Sequence, residues 1–256
     1  MALPLRPLGN TGLLVSAIGL GTVKLGRRDG VKYPVPFELP SDEQALELLR
    51  TAHDLGVNLI DTAPAYGTSE TRLGELLDRV APRERWVLCS KAGETFENGS
   101  STFDFTPAAI TASVERSLRR LRTDYLDVVL LHSNGDDEEV VVRSGALEAL
   151  RALKRRGLVR AVGASTKTPG GALLAVERGD VVMLTLNSAE QGDAPAAALA
   201  AERGVGVLVK KALVSGHAVD PGAALRGVLA VRGVSCVVVG TIDSGHLRAN
   251  TMAAAF

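Results

Sequence analysis

Residues 126–165, LDVVLLHSNGDDEEVVVRSGALEALRALKRRGLVRAVGAS, decide how the rest of the chain is read. The stretch opens on LDVVLLH (126–132), an almost continuous apolar run, and closes on a second one, VRAVGAS (159–165). Between them SGALEALRALKRRG sets Leu147, Leu150 and Leu153 among charged residues, the spacing of one buried helix face. Near-continuous runs of Val, Leu and Ile suit strands covered on both sides, and two such strands joined through a helix are parallel neighbours.

The alternation continues in both directions. AIGLGT (17–22), NLID (58–61), RWVLCSK (85–91), VVMLTLN (181–187), VGVLVKK (205–211) and VSCVVVG (234–240) bring the candidate strands to eight. Helical segments lie between them. SDEQALELLRTAHDLG opens with Ser41 as N-cap and closes at Gly56, and TPAAITASVERSLRRL opens with Thr106 and a proline at the first helical position. SGALEALRALKRRG and DAPAAALAAERG repeat the design. Eight β-then-α units predict an α/β fold, a closed (β/α)8 TIM barrel, whereas a doubly wound open sheet more often has five to seven strands. The opening LRPLGNTGLLVSA places GNTG between two short apolar stretches, which predicts a hairpin capping the barrel bottom. With no Ser/Pro-rich linker or break in composition, residues 1–256 are read as one domain.

Apolar residues make up 46% of the chain, enough for a sizeable core, and 29 Lys plus Arg balance 29 Asp plus Glu. That balance argues against a nucleic-acid or anionic-membrane partner. Cys89 and Cys236 sit inside apolar runs and are expected to be unpaired core thiols in a reducing cytoplasm. The N-terminus MALPLRPLGNTG has no apolar core of signal-peptide length, and no uncharged stretch approaches the ~18 residues of a membrane span. A soluble, cytoplasmic protein is expected. Nothing in the sequence sets the oligomeric state.

In a (β/α)8 barrel, chemistry sits where the strands end. Asp61, Lys91 and His132 end the second, third and fourth strands, and Tyr66 begins the loop after the second. A buried lysine beside a tyrosine favours the phenolate, so the phenol is expected to fall below its ordinary value of about 10. Such a phenol can protonate a carbonyl oxygen, and a histidine can orient that oxygen. Each residue also has a structural reading: a strand-end salt bridge for Asp61 and Lys91, a satisfied core residue for His132, a loop anchor for Tyr66. Their convergence on one rim favours the catalytic reading. His53 and His217 have no partner at metal-ligand spacing, and no metal is expected. Loops 23–40 and 92–105, the latter with Phe96, Phe103 and Phe105, are expected to overhang the mouth.

LRPLGNTGLLVSAIGLGT, NLIDTAPAYGTSETRLGELL, VLCSKAG, LDVVLLHS and VVVGTIDSGHLRAN resemble the aldo-keto reductases, in that family's order and over nearly the whole chain. The resemblance implies a (β/α)8 barrel that binds NADPH (NADP+) in extended form and reduces aldehydes or ketones by pro-R hydride transfer. It makes Tyr66 the general acid, Lys91 and Asp61 its tuning pair, and His132 the carbonyl-orienting residue. For the cofactor it implies contacts from Gly21 and Thr22, from Ser165 and Thr166 at the nicotinamide carboxamide, and from Lys210 and Lys211 at the pyrophosphate. Gly240 and Thr241 would form the adenosine-phosphate turn, His246 would face the 2′-phosphate, and Asn250 the adenine.

Three positions depart from the family pattern. Thr166 replaces an asparagine, Met183 stands where a glutamine commonly contacts the carboxamide, and His246 replaces an arginine or lysine. Arg248 either supplements His246 or is a solvated helix charge. The chain ends at TMAAAF, without the long C-terminal loop of many relatives, so the pocket is expected to be built from loops 23–40, with Tyr33 and Phe37, and 92–105. An open pocket of this kind implies relaxed specificity for small aldehydes, dicarbonyls or sugar-derived carbonyls. Two other readings stand beside a carbonyl reductase: a nucleotide-binding redox sensor on the same fold, and a lyase using Lys91 as a Schiff-base nucleophile.

Overall fold

A computed structural model describes residues 3–31 and 33–255. The chain starts with an antiparallel pair, β1 (Leu5–Pro7) and β2 (Leu14–Ser16), joined through the turn at Gly9–Gly12. Then follow β3 (Ile18–Gly21), a helical turn α1 (Val23–Gly26), α2 (Asp42–Asp54), β4 (Leu59–Asp61) and α3 (Ser69–Leu76). Next come β5 (Val87–Ala92), β6 (Glu94–Glu97), β7 (Ser100–Phe103), α4 (Pro107–Leu121), β8 (Leu126–His132), α5 (Ala146–Arg155) and β9 (Val159–Ser165). The chain closes with α6 (Pro169–Arg178), β10 (Val181–Thr185), α7 (Ala194–Arg203), β11 (Gly206–Lys210), α8 (Pro221–Leu229), β12 (Val234–Gly240) and α9 (Ser244–Ala253).

Eight of these strands pair in parallel into a closed barrel, in the order β10-β11-β12-β3-β4-β5-β8-β9. All eight coincide with the runs read from the sequence, three of them residue for residue and the others within two residues at either end. Alternate strand residues point inward. Leu59, Val87, Cys89, Val128, Leu130, Ala161, Val181, Met183, Leu208 and Cys236 fill the barrel, and Leu8, Leu13 and Val15 of the N-terminal hairpin join them from below. The hairpin therefore plugs the bottom, as its apolar pattern implies. Each fully buried Leu or Val contributes roughly 1.5–3 kcal/mol, so this plug is strongly held. The other strand face packs on the helices through a second cluster that includes Ile60, Leu88, Val129 and Leu131. Both cysteines are buried and free.

The helix starts follow the caps. Ser41 forms a full capping box with Gln44, and Thr106 accepts from Ala109 N–H ahead of Pro107. Two caps differ from the sequence reading. α5 starts from Gly145 after a π-helical turn at Glu139–Arg143, because Ser144 is drawn back by its hydroxyl to Val140 O. Asp193 does not cap α7 with its side chain, which instead accepts from Thr185 N–H at 2.9 Å and ties down the end of β10. The segment 92–105 is not a plain loop either: β6 and β7 form a hairpin turning at Asn98-Gly99, both with positive φ.

Candidate functional site

The ends of the barrel strands surround a mouth cavity of about 1210 Å³. The register that sets its rim pairs Gly21 with Asp61, His132 with Ser165, Thr185 with Lys210, and Gly240 with Gly21.

At the floor, Lys91 Nζ donates to Asp61 Oδ1 at 2.6 Å and to Thr62 O at 2.9 Å, and both charged side chains are almost fully buried. Burial opposes the Lys91 ammonium, but Asp61, with support from Tyr66 and Cys89, outweighs it and raises its pKa. Lys91 is thus held as a cation, 4.8 Å from the centre of the Tyr66 ring. Tyr66 comes from a tight turn in which its N–H donates to Ala63 O and its own carbonyl accepts from Ser69 N–H. A Cβ on Gly67 would lie 2.1 Å from Gly26 O, so the residue after the tyrosine has to be glycine for the loop to rest on α1. Beneath it runs a buried hydroxyl chain: Ser69 Oγ donates to Thr22 Oγ1 at 2.8 Å, and Thr22 Oγ1 to Asp61 O at 2.9 Å. Thr22 lines the cavity, yet its side chain is committed to holding the Asp61–Tyr66 loop.

The phenol corrects one sequence expectation. Burial pushes Tyr66 up to about 12; Lys91 pulls the other way without overcoming it, and Asp61 adds to the rise. The residue is a protonated phenol at neutral pH, the correct state for a donor. A lysine cation so placed can stabilise a phenolate if the phenol gives up its proton. His132 stands across from it, the two rings edge to face with centres 6.2 Å apart. Burial lowers the imidazole below its ordinary value against the pull of Glu94, with Lys91 adding to the fall.

On the opposite wall, Lys210 Nζ donates to Ser165 Oγ at 2.8 Å and to Thr166 O at 2.6 Å. Burial, then the neighbouring Lys211 and Lys91 cations, push Lys210 down to about 7. Thr166 Oγ1 is buried without a hydrogen-bond partner. Met183 belongs to the barrel-interior cluster, one inward position below Thr185, and does not line the cavity. Lys211, Gly240, Thr241, His246 and Asn250 do line it. Thr241 Oγ1 accepts from Asp243 N–H, and Asp243 in turn caps α9 by accepting from His246 N–H at 2.7 Å. Arg248 turns away toward Thr51 Oγ1 at 3.5 Å and is the solvated helix charge of the two readings.

The sequence reading placed Tyr33 in the pocket, and it lies there: a Cβ on Gly240 would be 2.6 Å from the Tyr33 hydroxyl. Lys24 Nζ sits 3.8 Å from the centre of the Tyr33 ring, and Phe37 packs edge-on against the same ring. Lys24 and Glu94 were not singled out. Lys24 lies in α1, three residues past the end of β3, in the loop segment 23–40 that the sequence places over the mouth, whereas Glu94 needed the β6–β7 hairpin to be recognised. Among the described residues no group of three His, Cys, Asp or Glu could hold a metal ion, and no helix is long and apolar enough to cross a membrane.

Residues 17–189 match the Aldo/keto reductase family. L-galactose dehydrogenase of Arabidopsis thaliana is 37% identical over 164 residues, 62% of this chain and 47% of that protein. NADH-specific methylglyoxal reductase of Escherichia coli (strain K12) is 32% identical over 171 residues, 62% of this chain and 51% of that protein. The chain spans about half the length of the curated relatives it matches. A solved structure of an aldo-keto reductase from Pseudomonas aeruginosa superposes with a TM-score of 0.90 at 50% identity, covering 98% of this chain and 94% of that one.

Proposed function

The chain belongs to the aldo/keto reductase family, and on that premise we propose that it is an NADPH-dependent oxidoreductase that reduces a small aldehyde or ketone to an alcohol. The observation that carries the proposal is the buried Asp61–Lys91 pair, which places a fixed cation beside the half-buried Tyr66 phenol at the mouth of the barrel. A carbonyl oxygen lying between Tyr66 and His132 receives the phenolic proton, and Lys91 stabilises the phenolate left behind. Asp61 keeps Lys91 charged and aimed.

The cavity suits a nicotinamide dinucleotide. Thr166 Oγ1 is a buried polar atom in need of a partner, Lys211 offers a cation on the same wall while Lys210, expected at the pyrophosphate, is instead engaged with Ser165 and Thr166, and Gly21 and Gly240 keep side-chain bulk off the rim. Ser165 and Thr166 would hold the carboxamide end, Lys211 the pyrophosphate, and Gly240, Thr241, His246 and Asn250 the adenosine end. Thr22 contributes from beneath, through the loop it braces. The bound cofactor supplies the hydride. The buried free cysteines fit a reducing, cytoplasmic compartment.

Two alternatives lose ground. Lys91 is paired with Asp61 and held charged, which disarms it as a Schiff-base nucleophile. A sensor without turnover has no need for a protonated phenol beside a fixed cation. The test is a titration of the protein with NADPH and NADH, followed by cofactor fluorescence. The expected result is saturable binding with NADPH the tighter ligand; binding of neither cofactor would sink the proposal.

A further inference from the structure

Glu94 lies outside every motif used to read the sequence, yet its Oε2 is 2.7 Å from Nδ1 of His132. The placement follows from the hairpin. β6 and β7 pair Glu94 with Phe103 and Phe96 with Ser101, which brings the Ser101 hydroxyl to donate to Glu94 Oε1 at 2.5 Å. Oε2 is left facing the imidazole. Both side chains are largely removed from water, Glu94 to 12% and His132 to 19% exposure. Among the described residues His132 Nδ1 is buried and makes no aligned hydrogen bond to any group; Glu94 Oε2, 2.7 Å away, is the acceptor within reach of a proton on it.

The charges around the pair agree. Burial works against the Glu94 carboxylate, but His132, Ser101 and Arg27 outweigh it and bring it down to about 2. An ionised carboxylate can only accept, so the nitrogen facing it has to carry the proton. Lys91 and Lys210 act from the other strands to discourage a second proton on the ring, and the Tyr66 ring meets it edge to face.

We propose that Glu94 is a positioning residue that fixes the proton of neutral His132 on Nδ1, so that Nε2 presents a lone pair to the reacting oxygen. The inference rests on the catalytic assignment of Tyr66 and His132 above and changes one role in it: an unprotonated Nε2 has no hydrogen to give a carbonyl oxygen, so His132 does not orient that oxygen and acts as a proton acceptor. Neutral His132 accepts a proton; it donates to a carbonyl oxygen only when doubly protonated. Tyr66 is then the donor for carbonyl reduction at neutral pH. In the reverse direction a proton leaving a substrate hydroxyl moves to Nε2, and the imidazolium that forms is neutralised by Glu94. The same site is thus fitted for alcohol oxidation as pH rises, with the carboxylate–imidazole pair as its base.

Nitrogen-15 NMR of the histidine side chains tests this without any turnover, with the His132 signals identified by their loss in His132→Gln. The wild-type protein is expected to show a protonated Nδ1 in the neutral ring. Glu94→Gln removes the charge and is expected to lower the His132 titration midpoint by about one pH unit, tenfold less imidazolium at a given pH. Glu94→Asp should recover most of that shift, and Glu94→Leu should let the proton redistribute to Nε2. A wild-type ring protonated on Nε2, or an unchanged midpoint in Glu94→Gln, would overturn the proposal; if Glu94→Leu does not fold, the wild-type tautomer alone decides. Absence of NADPH-dependent turnover would instead count against the functional reading and leave the Nδ1 assignment standing.

Discussion

Removing the charge of Lys91 while keeping its length, as in Lys91→Met, leaves the Asp61 carboxylate buried with its 2.6 Å partner gone and Thr62 O without its 2.9 Å donor. Asp61 is 4% exposed, so water cannot replace the lost ammonium. Breaking a buried pair from one side costs about 3–5 kcal/mol, which in a chain of this size corresponds to a fall of roughly 6–20 °C in Tm. Removing both charges in Asp61→Leu/Lys91→Met takes away the stranded ion as well as the pair. Buried ion pairs replaced by apolar residues of similar volume are often neutral in stability, so the double variant should return to within about 2 kcal/mol of the wild type. The assay is urea denaturation followed by Trp86, the single tryptophan, which is buried at 2% exposure. Both variants should lack reductase activity, since the phenolate has lost its cation. If the double variant were destabilised by the sum of the two single changes, the pair would not be coupled and the account of the site floor would fail.

Further expectations concern protons and the cofactor. Because folding depresses Lys210 to about 7, the unfolded chain holds a proton that the folded chain gives up between that value and the ordinary lysine range. Stability is therefore expected to rise with pH across that interval, and urea midpoints at neutral and alkaline pH should converge in Lys210→Met. With Tyr66 pushed up to about 12, its ionisation cannot cause an alkaline loss of reduction anywhere near neutrality. A fall with a midpoint between pH ~8 and ~9 that disappears in a Tyr66 variant would contradict this. His246 is exposed on the cavity wall proposed for the adenosine end, and His246→Arg is expected to raise the preference for NADPH over NADH about tenfold through a charge-assisted, bidentate contact with the 2′-phosphate. Cofactor titrations on the two proteins measure it directly.

What the sequence made legible follows from which forces act locally. The barrel strands are unbroken apolar runs because both of their faces are covered, and that pattern survives in one dimension; so do the Ser41 and Thr106 caps. Asp61, Lys91 and His132 could be placed on one rim because the strand-end rule converts order along the chain into position in space. The β6–β7 hairpin was within reach through Asn98-Gly99, but its partly exposed strands carry little apolar signal. Glu94 stayed hidden for a related reason, since only the folded hairpin brings it to His132. The upward shift of Tyr66 was not legible either. The sequence names the cation beside the phenol but not the depth of burial, and here burial wins. Met183 and Thr22 mark the same limit: Met183 is in the expected strand and Thr22 one residue past the end of its own, and the depth or the hydrogen-bond partner decided what each side chain does.

The measurement that bears most directly on the proposed function is the loss of NADPH absorbance after addition of small aldehydes, made in parallel on the wild-type protein and on Tyr66→Phe, with NADPH affinity measured for both. Turnover by the wild type is expected with at least one aldehyde, and kcat in Tyr66→Phe should be lower by about 10²–10⁴ while NADPH affinity is nearly unchanged, because the change removes a proton donor and not a ground-state contact. Equal turnover by the two proteins would contradict the account.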